Sequence, residues 1–431
     1  MIGPKLIGDI SPSELDSILR RSRYDIESVS DTVRKIVDDV RDRGDAALVD
    51  YTYRFDRVGM RPSEFRVTKD EIEEARSMVP EGLEEALKEM RKRIERYHVL
   101  QLRSETGVTR FDEGIYLGRV RRAIDSVGMY VPGGRASYPS TVLMMVVPAR
   151  IAGVKSMVMC TPPTRQGKAN PAALVAANLV DVTEIFKLGG AQAIAAMAFG
   201  TETIPKVEKI VGPGNIFVTA AKSLVYGHVD LDFPAGPSEL MVLTDETADP
   251  ELVAIDLVSQ AEHDSDAACV LITTSWRVAR EVEKVLTGLV KREERSETIK
   301  ASLAKNGAIV VAEKMEEAVA FVNEYAPEHL EVITENPMNL LKEIRHAGSI
   351  FLGPSSPASA GDYATGTNHV LPTGGRAKVR GPLSVDDFLK FSSVQLVNKA
   401  GLRKLEAIIS VLARVEGLPA HAKSVEKRLR R

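Results

Sequence analysis

From residue 126 onward, short unbroken apolar runs alternate with longer segments that carry apolar residues on one face. "SMVMCTPP", "EIFKLGG" and "KIVGPGN" read as buried strands, with "STVLMMVVPARIAGV", "NPAALVAANLV", "AQAIAAMAFG" and "IFVTAAKSLVYG" as the intervening helices. The alternation resumes after residue 237. There "ELMVLTD", "ACVLITT", "AIVVAE" and "SIFLG" read as strands, and "DPELVAIDLVSQAEH", "WRVAREVEKVLTGLVK" and "MEEAVAFVNEYA" as helices. Continuous apolar strands separated by helices signal parallel sheets covered on both faces. The pattern therefore predicts an α/β protein with two parallel-sheet blocks, each Rossmann-like in its alternation. A chain of 431 residues also exceeds what one hydrophobic core usually organises.

The first 125 residues are more polar. "SDTVRKIVDDVRDRGDAALVDYTYRFD" and "PEGLEEALKEMRKRIERYHVLQ" space their apolar positions at helical intervals, the second opening on Pro80. His98 on that second helix reads as a structural or surface residue. A Gly/Ser/Pro-rich span covers 353–384, and loops of that length inside a compact protein are usually functional. Two more helices are predicted near the end, over "VDDFLKFSSVQLVNKAG" and "LRKLEAIISVLARVEGL". These flanks are expected to form helical N- and C-terminal arms.

Composition narrows the class. Apolar residues make up 44% and charged residues 27%, with a formal net charge of −3, so no basic surplus is available for nucleic acid. The terminal "KRLRR" reads as a solvated helix end. Cys160 and Cys269 both sit in apolar runs and read as buried strand residues, which suits a reducing compartment. "MIGPKLIGDI" lacks the basic start and long apolar core of a signal peptide, and no run reaches the length of a membrane span. The expectation is a soluble cytoplasmic protein, binding neither nucleic acid nor membrane.

Only seven histidines occur, and most lie in polar clusters. "SQAEHD" places Gln260 and His263 three residues apart at a helix end, so both project from one side. By itself that could be a polar helix terminus with His263 near the negative end of the dipole. "YAPEHLE" puts a carboxylate beside an imidazole, which suits acid–base work. Pro327 there can seat a helix start, with Glu328 and His329 in the first turn, and a solvated terminus is the plain alternative. "SAGDYATGTNHVLPTGG" carries Asp362 and His369 in a glycine-rich loop. "VEGLPAHA" brings Glu416 and His421 near the C-terminus. One explanation joins them: Gln260, His263, Asp362 and His421 form a nitrogen-and-oxygen donor set without thiolate, suited to zinc or manganese.

These segments occur in a particular order: "YVPGGRASYPSTVLM", "LGGAQAIAAMAFGT", "KIVGPGN", "DFPAGPSE", "SQAEHD", "YAPEHLE", "GDYATGTNHVLPT" and "ARVEGLPAHA". In this the chain closely resembles the histidinol dehydrogenases, from roughly residue 30 to the C-terminus. The resemblance implies oxidation of L-histidinol through L-histidinaldehyde to L-histidine, with NAD as oxidant and one Zn²⁺ per subunit, in a homodimer. It assigns the metal to Gln260, His263, Asp362 and His421, and the acid–base pair to Glu328 and His329. Substrate contacts fall on Ser238, Gln260, His263, His329, Asp362, His369, Glu416 and His421, and cofactor contacts on Tyr130, Gln192 and Asn215. No G-x-G-x-x-G follows a strand, so NAD comes from the resemblance and not from a dinucleotide fingerprint. The metal ligands alone would equally suit a zinc hydrolase, and a related dehydrogenase acting on another amino alcohol is the nearer alternative. The expected division is an N-terminal arm over 1–20, a discontinuous metal and catalytic domain over 21–127 with 237–381, an NAD-contacting domain over 128–236, and a C-terminal helical arm over 382–431.

Overall fold

The computed structural model describes residues 2–21, 25–103, 107–133, 138–233 and 236–430. Residues 134–137 of "YVPGGRASYPSTVLM" and 234–235 of "DFPAGPSE" lie outside the described residues. Two parallel sheets form the frame. The first contains β4 (Ser126–Tyr130), β5 (Ser156–Thr161), β6 (Glu184–Lys187), β7 (Lys209–Val211) and β8 (Asp230–Leu231), in the order β6-β5-β4-β7-β8. The second contains β9 (Glu239–Thr244), β10 (Ala268–Thr273), β11 (Gly307–Val311), β12 (His329–Ile333) and β13 (Ser349–Leu352), with β1 (Ile2–Leu6) at one edge. Its order is β1-β11-β10-β9-β12-β13. Apart from β1, both sheets start in the middle, wind outward one way and then the other, as doubly wound α/β sheets do.

Strand alternation sets the layers. In the first sheet Met129 and Met159 face one core with Val142 and Leu174, while Val158 and Cys160 face the other with Ile194 and Val218. In the second, Leu240 and Leu271 pack on one side with Val253 and Val282, and Met241 and Ile272 on the other with Phe321 and Val322. Both faces are covered, which is why these strands carry no polar alternation. Cys160 and Cys269 are buried free thiols. Among the described residues no helix is long and apolar enough to cross a membrane.

The flanks depart from expectation. Residues 1–20 are not an arm: β1 pairs in parallel with β11, and Ile10 and Ile18 enter the second sheet's core. The early helices pack mainly on the first sheet, although the second of them also meets residues 237–381, where Asn368 Nδ2 lies 3.4 Å from His98 Nε2. Val33, Ile36 and Val40 of the helix Glu27–Arg43, and Leu87, Met90 and Ile94 of the helix Leu83–Val99, pack on opposite faces of the first sheet. Their apolar stripes were legible, but the surface they would meet was not. The segment read as a helix over "VDDFLKFSSVQLVNKAG" is a short 3-10 turn followed by the strand β14 (Leu389–Val397), which forms an antiparallel sheet with β3 (Ile115–Ala123) and β2 (Gly107–Asp112). Both hairpin strands lie within the polar first 125 residues, where the sequence offered only helices. The helices Lys399–Val415 and Pro419–Arg430 then follow as expected.

Candidate active site

The two sheets present opposite ends to one cleft. On the first sheet it is the carboxyl edge, where β4 ends at Tyr130 and β7 runs into Gly212–Asn215. These neighbours straddle the point at which the strand order reverses, the place where open α/β sheets hold ligands. On the second sheet it is the amino edge: Glu239 opens β9 and His329 opens β12, where His329 pairs with Leu240. A cleft of about 380 Å³ lies between them, lined by Asn215, Ser238, Gln260, His263, Glu328, His329, Asp362 and His369 among others.

The helix Pro250–Ala261 returns from the carboxyl end of β9 to this edge and delivers Gln260 in its last turn. Its buried stripe runs through Val253, Ala254, Leu257 and Val258, while Leu252 and Ile255 are exposed. Gln260 is therefore on the inner side. Among the described residues neither its amide nor the ring of His263 makes a hydrogen bond within the chain, although Gln260 is only 4% exposed. Asp362 comes from the short helix Ala358–Tyr363. Burial raises its carboxyl, but the hydrogen bond from His329 and the nearby imidazoles outweigh this and hold it below the usual carboxylate range. Burial pushes His263 down, toward the neutral form a metal ligand requires. A carboxylate, an imidazole and an amide facing one cleft fit a borderline cation such as zinc.

The fourth expected ligand is elsewhere. Glu416 and His421 are exposed on the C-terminal helices and neither lines the cleft. Among the described residues no cluster of three or more His, Cys, Asp or Glu side chains closes a metal site within one chain.

Glu328 and His329 do not open a helix. The helix Met315–Tyr325 ends first, Ala326 takes a left-handed φ of +53°, and the apolar run "HLEVI" that follows is the central strand β12. His329 is buried, with Nδ1 3.0 Å from the backbone oxygen of Glu239 and Nε2 3.3 Å from Asp362 Oδ1. A carbonyl only accepts, so Nδ1 carries the hydrogen and a neutral His329 presents Nε2 as a base. Burial disfavours the imidazolium, but Glu328 and Asp362 overcome that and raise the His329 pKa well above the ordinary value. Burial also raises Glu328, against the pull of His329. His369 has both nitrogens engaged: Nδ1 donates to the Asp362 carbonyl at 2.9 Å and Nε2 lies 3.1 Å from Thr141 Oγ1.

Of the expected cofactor contacts only Asn215 lines the cleft; Tyr130 and Gln192 are buried behind it, Tyr130 accepting the amide of Gly190 at 3.0 Å and Gln192 Oε1 having no hydrogen-bond partner among the described residues. Asn215 caps its helix, taking the amides of Phe217 and Val218 at 3.1 Å each. Behind it Gly212 has φ +117°, and a Cβ there would meet the Tyr130 oxygen at 2.2 Å, so only glycine fits. Gly212 is held from beneath by a buried pair: Asp232 accepts its amide at 2.8 Å, and Lys222, bonded to Asp232, donates to its carbonyl at 3.0 Å. Sequence reasoning singled out none of Lys222, Asp232, Thr141, Arg21 and Glu239. Asp232 and Glu239 are the first and last letters of "DFPAGPSE" and Thr141 lies in "YVPGGRASYPSTVLM", whereas Arg21 and Lys222 fall in none of the ordered motifs.

The model of the histidinol dehydrogenase family matches residues 19–429. A histidinol dehydrogenase of Methanothermobacter thermautotrophicus is 51% identical over 416 residues, 96% of this chain and 97% of that one. That of Methanocaldococcus jannaschii is 47% identical over 426 residues, covering 99% and 98%. The crystal structure of histidinol dehydrogenase from Elizabethkingia anophelis superposes with a TM-score of 0.94 at 39% identity, covering 100% of this chain and 98% of that one.

Proposed function

The chain belongs to the histidinol dehydrogenase family, and from that premise we propose that its cleft oxidises L-histidinol through L-histidinaldehyde to L-histidine, reducing two NAD⁺. The observation that carries this reading is the pairing of a tautomer-fixed base, His329, with the donors Gln260, His263 and Asp362 across from a doubly wound carboxyl edge.

Gln260, His263 and Asp362 would hold Zn²⁺, with His421 as the fourth ligand, and Tyr130, Gln192 and Asn215 would contact NAD. When bound, NAD⁺ accepts the two hydrides, and the metal orients the substrate and neutralises Asp362. His329 Nε2 takes the carbinol proton as the alcohol is oxidised. Glu328, protonatable because it is buried, then takes a proton from the water that adds to the aldehyde. Ser238, which lines the cleft just before β9, would orient the polar end of the substrate. The cleft between the sheets keeps the aldehyde from bulk water until the second oxidation.

Glu416 and His421 reach the site, in this reading, from a second copy of the chain. The helix that leads to them leaves Ile408, Val411, Leu412 and Val415 exposed, Val415 by 81%, an apolar face suited to burial in a homodimer.

The test is NADH production from L-histidinol by purified protein, before and after chelation and zinc add-back. Two NADH per histidinol, lost on chelation and restored by zinc, is the expected result. NADH from other amino alcohols but not histidinol overturns the substrate, and metal-dependent ester or amide hydrolysis without NADH returns the hydrolase.

A further inference from the structure

Glu239 takes no part in the chemistry above, yet it touches both members of the proton-transfer pair. Its carbonyl accepts His329 Nδ1 at 3.0 Å and its amide donates to Glu328 Oε2 at 2.7 Å. Its carboxylate accepts the amides of Glu328 at 3.3 Å and of Gly374 at 2.6 Å. The remaining partner of that carboxylate is Arg21, at 2.7 Å, and the two side chains are 1% and 2% exposed.

Arg21 arrives from the end of the N-terminal helix Pro12–Arg20. Besides Glu239, its guanidinium donates to the carbonyl of Tyr325 at 2.8 Å and of Ala326 at 3.2 Å, and lies 3.6 Å from the centre of the Tyr325 ring. Ala326 is the left-handed residue two places before Glu328, a backbone state unfavourable for an alanine. One planar cation thus clamps that turn and the start of β9 together, and Glu328 and His329 lie between the two anchors.

A buried ion pair is weak evidence for stability, because desolvation offsets much of its attraction. Its value here is directional. A guanidinium fixes three acceptors in one plane, which a lysine cannot do. We propose that Arg21 and Glu239 are positioning residues for the Glu328–His329 pair, and that the N-terminal segment is in this way part of the catalytic apparatus. The inference rests on the assignment of proton transfer to Glu328 and His329.

The experiment uses full-length, zinc-loaded protein and compares Glu239→Gln, Arg21→Lys and the double variant Arg21→Met with Glu239→Leu, with His329→Asn as control. For each, kcat, the KM for L-histidinol, the solvent deuterium isotope effect, zinc content and the urea midpoint are measured. Glu239→Gln and Arg21→Lys should lower kcat by about 10- to 100-fold with KM changed by less than about 3-fold, and enlarge the isotope effect as proton transfer becomes limiting. The apolar pair should recover the urea midpoint without recovering kcat, since it cannot hold the amides of Glu328 and Gly374. Recovery of kcat together with the midpoint would make the pair merely structural and overturn the proposal, as would full kcat in Glu239→Gln while His329→Asn is inactive. If Glu239→Gln does not fold, Arg21→Lys, which keeps the charge, decides by the same criteria. An active His329→Asn would instead overturn the proton-transfer assignment itself.

Discussion

His329 Nε2 stands 3.3 Å from Asp362 Oδ1, so the nitrogen proposed as the base faces the carboxylate proposed as a metal ligand. This carboxylate and Glu328 together raise the His329 pKa well above its ordinary value, against the effect of burial. In the proposed reading the two roles are coupled, and a bound metal would free the base. In ¹³C-labelled protein, zinc should move the His329 titration to lower pH. The metal-free protein has the sign of a raised histidine: the stability contributed by this group is complete below the unfolded value and is lost as pH rises through the folded one. A metal-free protein whose His329 titrates no higher than the zinc-loaded one sinks this coupling.

His329→Asn should lower kcat by ~10²–10⁴-fold with zinc content unchanged, because general-base catalysis has that magnitude and the ring is not a ligand in this reading. Loss of zinc in that variant would show a structural role instead. Glu328→Gln should slow oxidation of supplied L-histidinaldehyde more than that of L-histidinol. Equal losses in the two half-reactions would remove Glu328 from water activation.

Beneath the site, Glu331 Oε1 accepts the amide of Ala358 at 2.6 Å, and its carboxyl interacts with the neighbouring Asp256. Burial first, then Asp256, pushes Glu331 up to about 8, so the pair shares a proton at neutral pH. A raised carboxyl adds stability below its unfolded value near 4.5, and that stability drains away as pH rises to about 8. Urea unfolding of Glu331→Gln should accordingly depend less on pH across this window than the wild type. Parallel curves for the two proteins would disprove the shared proton.

The Lys222–Asp232 pair, 2% and 1% exposed, makes a separate prediction. Lys222→Met alone should destabilise the fold by about 3–5 kcal/mol, because it leaves Asp232 buried and unpaired. The double variant Lys222→Met with Asp232→Leu should regain most of that stability but bind NAD⁺ more weakly in calorimetry, with the Gly212 turn no longer held. Unchanged NAD⁺ affinity in the stable double variant would separate this pair from the cofactor.

If Glu416 and His421 act on the partner's site, then mixing inactive His329→Asn and His421→Asn subunits should restore about a quarter of wild-type activity, since half of the dimers carry one intact site. No recovery after verified subunit exchange would place both residues in their own chain's site.

The sequence by itself determined the layers and the chemical types. Unbroken apolar runs can satisfy themselves only inside a parallel sheet, so β5, β6, β9, β10, β11 and β13 were legible locally, as were the helices that cover them. Gln260, His263, Glu328, His329 and Asp362 were singled out because few residue types can ligate a metal or move a proton, and all five line the cleft. What depended on distant partners was not legible. β14 and β2 are mostly exposed and β3 mostly half-buried, and the three are held by each other's backbone, so their side chains carry little strand signal. The stripes on the helices of residues 27–99 showed a buried face but not the sheet that would bury it. The turn "YAPEHLE" became a strand entry because β12 had to pair with β9. Only the tertiary structure joined Arg21 to Glu239, 218 residues apart, since a buried charge is tolerated only where the fold supplies its counterpart.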